Sequence, residues 1–194
     1  MAQESLFAVV LAAGRGKRFG ATKQLARYDD IPLVTRAVRT AEAVCDGRVL
    51  LVTGSDHERV AAACVPLRGF VTVNESFADG IATSLSAGVS CVRHVADAIL
   101  VILADQPLVS VDHLSVLASA WQRRPDAIVT SQYTGTDGPP VIFPRAFFSQ
   151  LGELQGDRGA KRVIDANEEH VERVVYEPAS VDVDRPEDLD ALHS

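Results

Sequence analysis

The chain has 194 residues, of which 47% are hydrophobic and 23% are charged, and its formal net charge is −7. This length can bury one sizeable core, so we expect a single domain over residues 1–194, and the composition excludes an intrinsically disordered chain. The acidic balance argues against nucleic acid as a partner, because proteins that bind it usually carry a basic surface or stripe.

The sequence has no sign of a membrane span or of a disulfide framework. The apolar run from Leu6 to Ala13 is too short to cross a bilayer, and no charged segment precedes it in the manner of a signal peptide. Cys45, Cys64 and Cys91 are odd in number and form no CxxC pair, which favours reduced thiols in the core. We therefore expect a cytoplasmic protein with no membrane partner.

Short apolar segments that end in turn residues predict buried strands along most of the chain. In chain order they are SLFAVVLAAG, RVLLVTG, GFVTVN, DAILVILADQP and PDAIVTSQ. Segments with helical spacing lie between them, and Asp30, Ser55 and Ser110 are predicted to cap helices. Such alternation requires right-handed crossovers, so the expected fold is a three-layer αβα domain with a Rossmann-like, mostly parallel sheet.

The regular alternation weakens after Tyr133. The segment GTDGPPVIFPRAFF contains turn residues and adjacent prolines, which predicts an edge strand followed by a short helix. The tail VVYEPASVDVDRPEDLDALHS predicts a last strand, a turn and a helix that begins near Pro186.

A basic, glycine-rich loop follows the first predicted strand. The stretch LAAGRGKRFGATKQL fits neither GxGxxG nor GxxxxGK[ST], because Phe19 stands where both motifs need glycine. Glycines still allow consecutive backbone N–H groups to converge on phosphate oxygens, and Arg15, Arg18 and Lys23 add charge-assisted hydrogen bonds. The loop therefore predicts a phosphate-binding site at the carboxyl end of a strand, where open α/β sheets place ligands.

This loop resembles that of the nucleotidyltransferases related to molybdenum cofactor biosynthesis, and its LAAG and KQL are most similar to the cytidylyltransferase branch that acts on molybdopterin. The segments DGIATSLSAGV, LADQPLV, GPPVIFPRAFFSQLGELQGDRGAKRVI and VDVDRPEDL are similar to that family in the same order. The chain departs from it at Pro139, where histidine is common, and at Lys161, where arginine is frequent. The resemblance implies a nucleotide-diphospho-sugar transferase type of fold. It also implies nucleotide binding by residues of the loop: Leu11, Ala12, Ala13, Gly14, Gly16 and Lys23.

Nucleotidyl transfer needs a cation on the triphosphate, and Mg²⁺ prefers one or two carboxylates together with phosphate oxygens and water. Asp105 ends the most apolar strand, so we expect it to be the first metal ligand. The resemblance favours Asp182 as the second ligand, with Asp184 as the alternative; Asp184 and Asp188 otherwise suit the cap of the last helix.

Two further segments are expected to bind the base and the acceptor. Gly80, Thr83 and Ser84 open a helix where small residues admit a flat ring, and Asn74 can read the edge of the base, although these hydroxyls also suit helix caps. The segment QGDRGAKR suits the phosphate of the second substrate, or else a helix entrance capped by Asp157. The resulting acceptor-site prediction comprises Pro140, Asp157, Arg158 and Lys161.

The resemblance implies an enzyme that transfers CMP from CTP to molybdopterin and releases pyrophosphate, with Mg²⁺ as cofactor and Arg15, Arg18, Lys23 and Asp105 as catalytic residues. A recipient molybdoenzyme is a further expected partner. One alternative uses GTP, or another phosphorylated acceptor such as a sugar phosphate. The alternative from another class is a non-catalytic molybdenum cofactor chaperone or adaptor. The histidines are scattered and favour no hydrolase triad.

Overall fold

The computed structural model describes residues 4–16, 18–157 and 159–192. Its strands are β1 (Leu6–Ala12), β2 (Arg27–Tyr28), β3 (Ile31–Pro32), β4 (Val49–Thr53), β5 (Phe70–Val73), β6 (Ala98–Leu103), β7 (Ile128–Tyr133), β8 (Thr136–Pro144) and β9 (Val171–Val175). Its α-helices are α1 (Leu33–Cys45), α2 (His57–Ala62), α3 (Ile81–Val92), α4 (Val111–Arg123), α5 (Phe148–Gly152), α6 (Lys161–Ala166) and α7 (Pro186–Ala191).

Within these residues a seven-stranded sheet has the order β5-β4-β1-β6-β8-β7-β9. Strand β1 pairs in parallel with β4 and β6, β4 pairs in parallel with β5, and β7 pairs in parallel with β9. Only β8 runs antiparallel to its neighbours in this sheet. The prediction of a three-layer α/β fold with a mostly parallel sheet is therefore confirmed.

Helices cover both faces of the sheet, which explains why its central strands are apolar throughout. Successive side chains of β1 alternate between two buried clusters: Val10 packs in the cluster that contains residues of α1 and α4, and Val9 packs in the cluster of α3, α5 and α6. Leu114 and Trp121 of α4 are almost fully buried in the first cluster. These two clusters hold the carboxyl ends of β1 and β6 side by side.

Strand β8 lies inside the sheet, so the prediction of an edge strand after Tyr133 is wrong. Residues Val141–Pro144 pair with β6, and β8 also pairs with β7 along its other side. The pairing with β7 shifts register between Thr130 and Ser131, next to Pro139 and Pro140. The prolines, which cannot donate to a ladder, thus lie outside the pairing with β6 and at a local irregularity.

Of the caps predicted at Asp30, Ser55 and Ser110, that of Ser110 agrees with the structure: its side chain accepts a hydrogen bond from the His113 backbone N–H at 3.2 Å. Asp30 instead has φ +60° between β2 and β3, and α1 begins after Pro32. The position before α2 belongs to Asp56 rather than Ser55. Both differences arise from left-handed turns, which Asp adopts more readily than most residues.

Two of the cysteines are in the core and one is not. Burial raises the pKa of the Cys45 thiol to about 12 and that of Cys64 to about 11. Cys91 is exposed on α3, so its prediction as a core thiol is wrong. Among the described residues, none of the helices combines the length and the apolar character that crossing a membrane requires.

Candidate active site

A cavity of about 470 Å³ opens at the carboxyl ends of β1 and β6. It brings together residues from the glycine-rich loop, the turn after β6, the entrance to α3 and the tail before α7. Its lining comprises Leu11, Ala13, Gly14, Arg15, Gly16, Arg18, Lys23, Gln24, Phe77, Ala78, Gly80, Ile81, Ser84, Leu103, Ala104, Asp105, Asp157 and Asp184. Most of the residues predicted from sequence for the nucleotide thus share one cavity.

The glycine-rich loop is a tight turn held at both ends. Gly16 has φ +57°, and a Cβ there would overlap the carbonyl oxygen of Ala21, so this position requires glycine. The backbone N–H groups of Phe19 and Gly20 both donate to the Gly16 carbonyl, at 2.9 and 3.1 Å. At the end of the loop, Thr22 donates to the Asp56 carboxylate at 2.6 Å. The loop therefore presents its cations from a constrained backbone.

Lys23 joins the loop to two acidic segments. Its Nζ donates to Asp105 Oδ2 at 2.6 Å and to Asp184 Oδ1 at 3.0 Å, while Arg18 donates to Asp184 Oδ2 at 3.1 Å. Burial lowers the pKa of Lys23, but the two carboxylates outweigh it and hold the pKa above its ordinary value. The hydrogen bond from Lys23 in turn lowers the pKa of Asp184. Two carboxylates thus converge on one cation.

Asp184 contributes to the cavity, so its prediction as a cap of the last helix is wrong. Asp188 does cap that helix, since its Oδ2 accepts from the N–H groups of Asp184 and Arg185, both at 2.7 Å. This cap leaves the Asp184 carboxylate free to face Lys23 and Arg18. The tail is positioned by the Val183 N–H, which donates to the Asp105 carbonyl at 2.9 Å.

Asp182 does not line the cavity, although it lies close to the acidic residues that do. Asp182 as a whole is exposed, but partial loss of hydration raises the pKa of its carboxyl to about 6, and the nearby charge of Asp105 adds to the effect. A carboxyl with a raised pKa next to another carboxylate marks a place where a cation would be favourable. Lys23 and Asp105 therefore meet in the cavity, but the second carboxylate in contact with Lys23 is that of Asp184 and not that of Asp182, which was predicted to line the same cavity.

This acidic group meets the needs of a cation that also binds phosphate. The described residues contain no group of three or more His, Cys, Asp or Glu side chains arranged to hold a metal by themselves. Mg²⁺, however, takes one or two carboxylates and completes its shell with phosphate oxygens and water. Asp105 and Asp184, which already share the ammonium of Lys23, fit that requirement, with Asp182 beside them.

At the other end of the cavity, the residues predicted to bind the base have different roles. Asn74 is buried and donates to Thr83 Oγ1 at 2.8 Å and to Ser84 Oγ at 3.0 Å. Among these only Ser84, together with Gly80, lines the cavity. Asn74 and Thr83 instead fix the turn into α3, which holds Ser84 in place.

Only part of the predicted acceptor site reaches the cavity. Asp157 lines it, whereas Arg158 lies outside the described residues. Lys161 donates to Thr136 Oγ1 at 2.8 Å, and neither it nor Pro140 is among the lining residues. Ala12 is likewise absent from the lining, because it faces the core with 2% of its surface exposed.

Three residues of the site were not predicted from sequence. Gln24 is buried and donates to the Gly14 carbonyl at 2.7 Å, which ties the end of the loop to its beginning. Phe77 lines the cavity with Arg15 over its ring, 5.1 Å from the centroid. Gln106 is buried behind Asp105. The motifs KQL and DQP contain both glutamines, but nothing in the local pattern indicates that either side chain is buried.

The mostly parallel sheet, with a cationic glycine-rich loop facing carboxylates across the ends of its strands, defines an α/β protein with a ligand site at the carboxyl edge of the sheet. The chain belongs to the family of MobA-like NTP transferase domains, whose model matches residues 8–173. This match spans the loop, the β6 turn and the entrance to α3.

Known relatives agree with that family. The purine catabolism protein PucB of Bacillus subtilis is 29% identical over 198 residues, which cover 96% of this chain and 95% of PucB. The crystal structure of Rv0371c from Mycobacterium tuberculosis superposes with a TM-score of 0.83 at 26% identity, covering 99% of this chain and 98% of Rv0371c. A structure of Rv0371c in complex with manganese has a TM-score of 0.81 at 27% identity, with 97% of each chain covered.

Proposed function

We propose that this protein is a divalent-cation-dependent nucleotidyltransferase that transfers CMP from CTP to molybdopterin and releases pyrophosphate. The observation that carries the proposal is the shared cavity in which Lys23 of the glycine-rich loop meets Asp105 and Asp184. Cations for a triphosphate and carboxylates for a metal are thereby held within one ligand-sized space. CTP and molybdopterin are proposed from the LAAG and KQL segments and from the cytidylyltransferases that they resemble.

The glycine-rich loop would bind the triphosphate. Backbone N–H groups around Gly14 and Gly16 would face its phosphate oxygens, and Arg15, Arg18 and Lys23 would offset its charge. Lys23 would stabilise the negative charge that develops on the leaving pyrophosphate. Positioning and electrostatics of this kind account for most of the catalysis in phosphoryl-transfer enzymes.

The carboxylates would hold the cation, for which we propose Mg²⁺. Asp105 and Asp184 are the proposed ligands, and Asp182 lies close enough to replace or support one of them. When bound, the cation would neutralise charge on the triphosphate. The manganese bound by Rv0371c, a relative of the same fold, is consistent with a divalent ion here.

The reaction needs no covalent enzyme intermediate. A phosphate oxygen of the acceptor would attack the α-phosphorus, and the bond from that phosphorus to its bridging oxygen would break, so that pyrophosphate leaves. Ser84 and Gly80 would contact the base, held in place by Asn74 and Thr83. Asp157 lines the same cavity beside Gly80, and we propose it for the acceptor together with Arg158 and Lys161, which follow in the chain.

The test is pyrophosphate release from each of the four nucleoside triphosphates with molybdopterin and Mg²⁺. We expect CTP to be the preferred substrate, and we expect Asp105→Asn to lose activity by about 100-fold or more while its circular dichroism is unchanged. Asp112→Asn is the control, because Asp112 is exposed on α4 and does not line the cavity.

The alternatives give different results in the same assay. A preference for GTP would show that the nucleotide is GTP and not CTP. Pyrophosphate release only in the presence of a sugar phosphate would show that the acceptor is not molybdopterin. Tight binding of molybdenum cofactor with no pyrophosphate release from any triphosphate would indicate a chaperone and overturn the proposed activity. Unchanged turnover in Asp105→Asn would refute the role of that carboxylate.

A further inference from the structure

In the structure, the ammonium of Lys23 takes the place that the proposed function gives to a metal ion. Its Nζ is 2.6 Å from Asp105 and 3.0 Å from Asp184, which are hydrogen-bonding distances to both carboxylates at once. A divalent ion bound to the same two oxygens would stand too close to Nζ for both to remain. The present contacts of Lys23 and a metal on this carboxylate pair are therefore mutually exclusive.

We infer that Lys23 closes the cation site of the free protein, and that a triphosphate opens it by drawing the Lys23 ammonium away from Asp105 and Asp184. This inference rests on the proposed function, because it assigns the carboxylates to a metal and Lys23 to the triphosphate. Beyond that function, we infer that Asp105 and Asp184 remain paired with Lys23 until nucleotide binds. The free protein accordingly binds a divalent cation poorly, and nucleotide and cation bind together.

Burial and anchoring favour Lys23, rather than Arg18, as the group that closes the site. The Lys23 side chain is 12% exposed, whereas that of Arg18 is 73% exposed and, within the described part of the chain, its ion pair is with Asp184 alone. A shielded ion pair between well-held groups is screened less by water and salt than an exposed one. Displacement of Arg18 alone would leave the contact between Lys23 and Asp105 intact.

The backbone around Lys23 allows this exchange through one side chain. Residues Lys23–Leu25 form a 3-10 turn, and the next residue, Gln24, is buried and bound to the Gly14 carbonyl. A Cβ on Gly16 would be only 3.2 Å from the Lys23 backbone nitrogen, so the Lys23 backbone lies directly beside the phosphate-binding loop. Rotation about the bonds of the lysine stem can therefore carry Nζ from the carboxylates to a phosphate without movement of the turn.

Such an exchange couples the two ligands. Nucleotide that removes Lys23 from the carboxylates raises the affinity for the cation, and by reciprocity the cation raises the affinity for nucleotide by the same factor. The free protein also avoids leaving Asp105 and Asp184 as adjacent unpaired carboxylates. The pairing thus stabilises the free state and delays metal binding until the substrate is present.

The experiment is a titration with MnCl₂ alone, in which paramagnetic resonance reports free Mn²⁺. We expect weak binding by the wild type and binding that is at least about tenfold tighter in Lys23→Met, because a competing charge has been removed. Arg15→Met is the matched control: it removes the same charge from the same cavity, but Arg15 packs over Phe77. Its Mn²⁺ affinity should change less than about threefold, since it does not occupy the carboxylates.

The opposite outcomes overturn the inference. Mn²⁺ binding by Lys23→Met that is equal to or weaker than that of the wild type would refute competition, and an equal gain in Arg15→Met would show a general charge effect. If Lys23→Met does not fold, Lys23→Gln replaces it, and a wild-type crystal soaked in MnCl₂ gives a second readout. Metal bound there with Lys23 still on both carboxylates would also refute the inference.

These results are separable from the proposed function. Tighter Mn²⁺ binding in Lys23→Met with no pyrophosphate release by the wild type would leave the inference standing and overturn the transferase activity. If the wild type releases pyrophosphate but Lys23→Met binds Mn²⁺ no more tightly than the wild type does, the transferase activity stands and the inference about Lys23 is overturned.

Discussion

Replacement of Gln106 by methionine should destabilise the protein and disturb the acidic end of the site together. The buried amide of Gln106 donates to the Ala179 carbonyl at 2.8 Å and to the Pro139 carbonyl at 3.2 Å. It thereby joins the turn that carries Asp105 to β8 and to the tail. Methionine has a similar length but no N–H donors, so both carbonyl oxygens would lose a partner in the interior.

The size of the effect follows from those two contacts. An unsatisfied buried acceptor costs about 1–3 kcal/mol, and the Gln106 Oε1, which has no hydrogen-bond partner here, is removed at the same time. We therefore expect the free energy of unfolding to fall by about 2–4 kcal/mol. A loss of about 3 kcal/mol corresponds to a melting temperature about 6–12 °C lower for a chain of this size.

Urea unfolding followed by circular dichroism measures the loss, and pyrophosphate release measures the effect on the site. Gln122→Met is the matched control, because Gln122 is exposed on α4 and should change the free energy of unfolding by less than about 0.5 kcal/mol. A Gln106→Met variant as stable as the control would show that the two hydrogen bonds do not hold the segments together, and our reasoning would be refuted.

Two further predictions concern the core. Burial lowers the pKa of His113 to about 4, and its ring lies 2.7 Å from Ser131 Oγ. As the pH falls below 6.5, His113 is therefore protonated in the unfolded chain before it is protonated in the folded protein. The free energy of unfolding of the wild type should thus fall by about 3 kcal/mol between pH 6.5 and pH 4, and His113→Asn should lack this contribution. Urea titrations of both proteins at several pH values measure the difference, and parallel curves would contradict it. On α3, a Cβ at Gly88 would stand 2.6 Å from Val9 Cγ1, so Gly88→Ala should lower the free energy of unfolding by about 1–3 kcal/mol. Thermal melting measures this loss. Gly152→Ala, with no atom within 4 Å of its Cβ, serves as its control, and equal melting temperatures would disprove the clash.

Local sequence determined the strands and the loop. The central strands are apolar because helices cover both faces of the sheet. The apolar character of each strand can be recognised from its own residues, without knowledge of the other strands. The loop was recognisable because Gly16, Arg15 and Lys23 lie close together in the chain, immediately after a strand. The position of Asp105 directly after the most apolar strand likewise predicts, from the sequence alone, that it lies at the ligand-binding edge of the sheet.

Only the tertiary structure decided which distant residues meet. Asp184 joins Lys23 because Asp188 caps α7 and because the Val183 N–H binds the Asp105 carbonyl. The second of these contacts joins segments about 80 residues apart. The internal position of β8 was equally hidden, since its prolines indicate an edge until the register shift beside them is known. Hydrophobic pattern and turn chemistry act between neighbours in the chain and can be read locally. The pairing of charges across the cavity depends on the order of the strands in the sheet and on where the segment before α7 packs against it. No local sequence pattern specifies either of these.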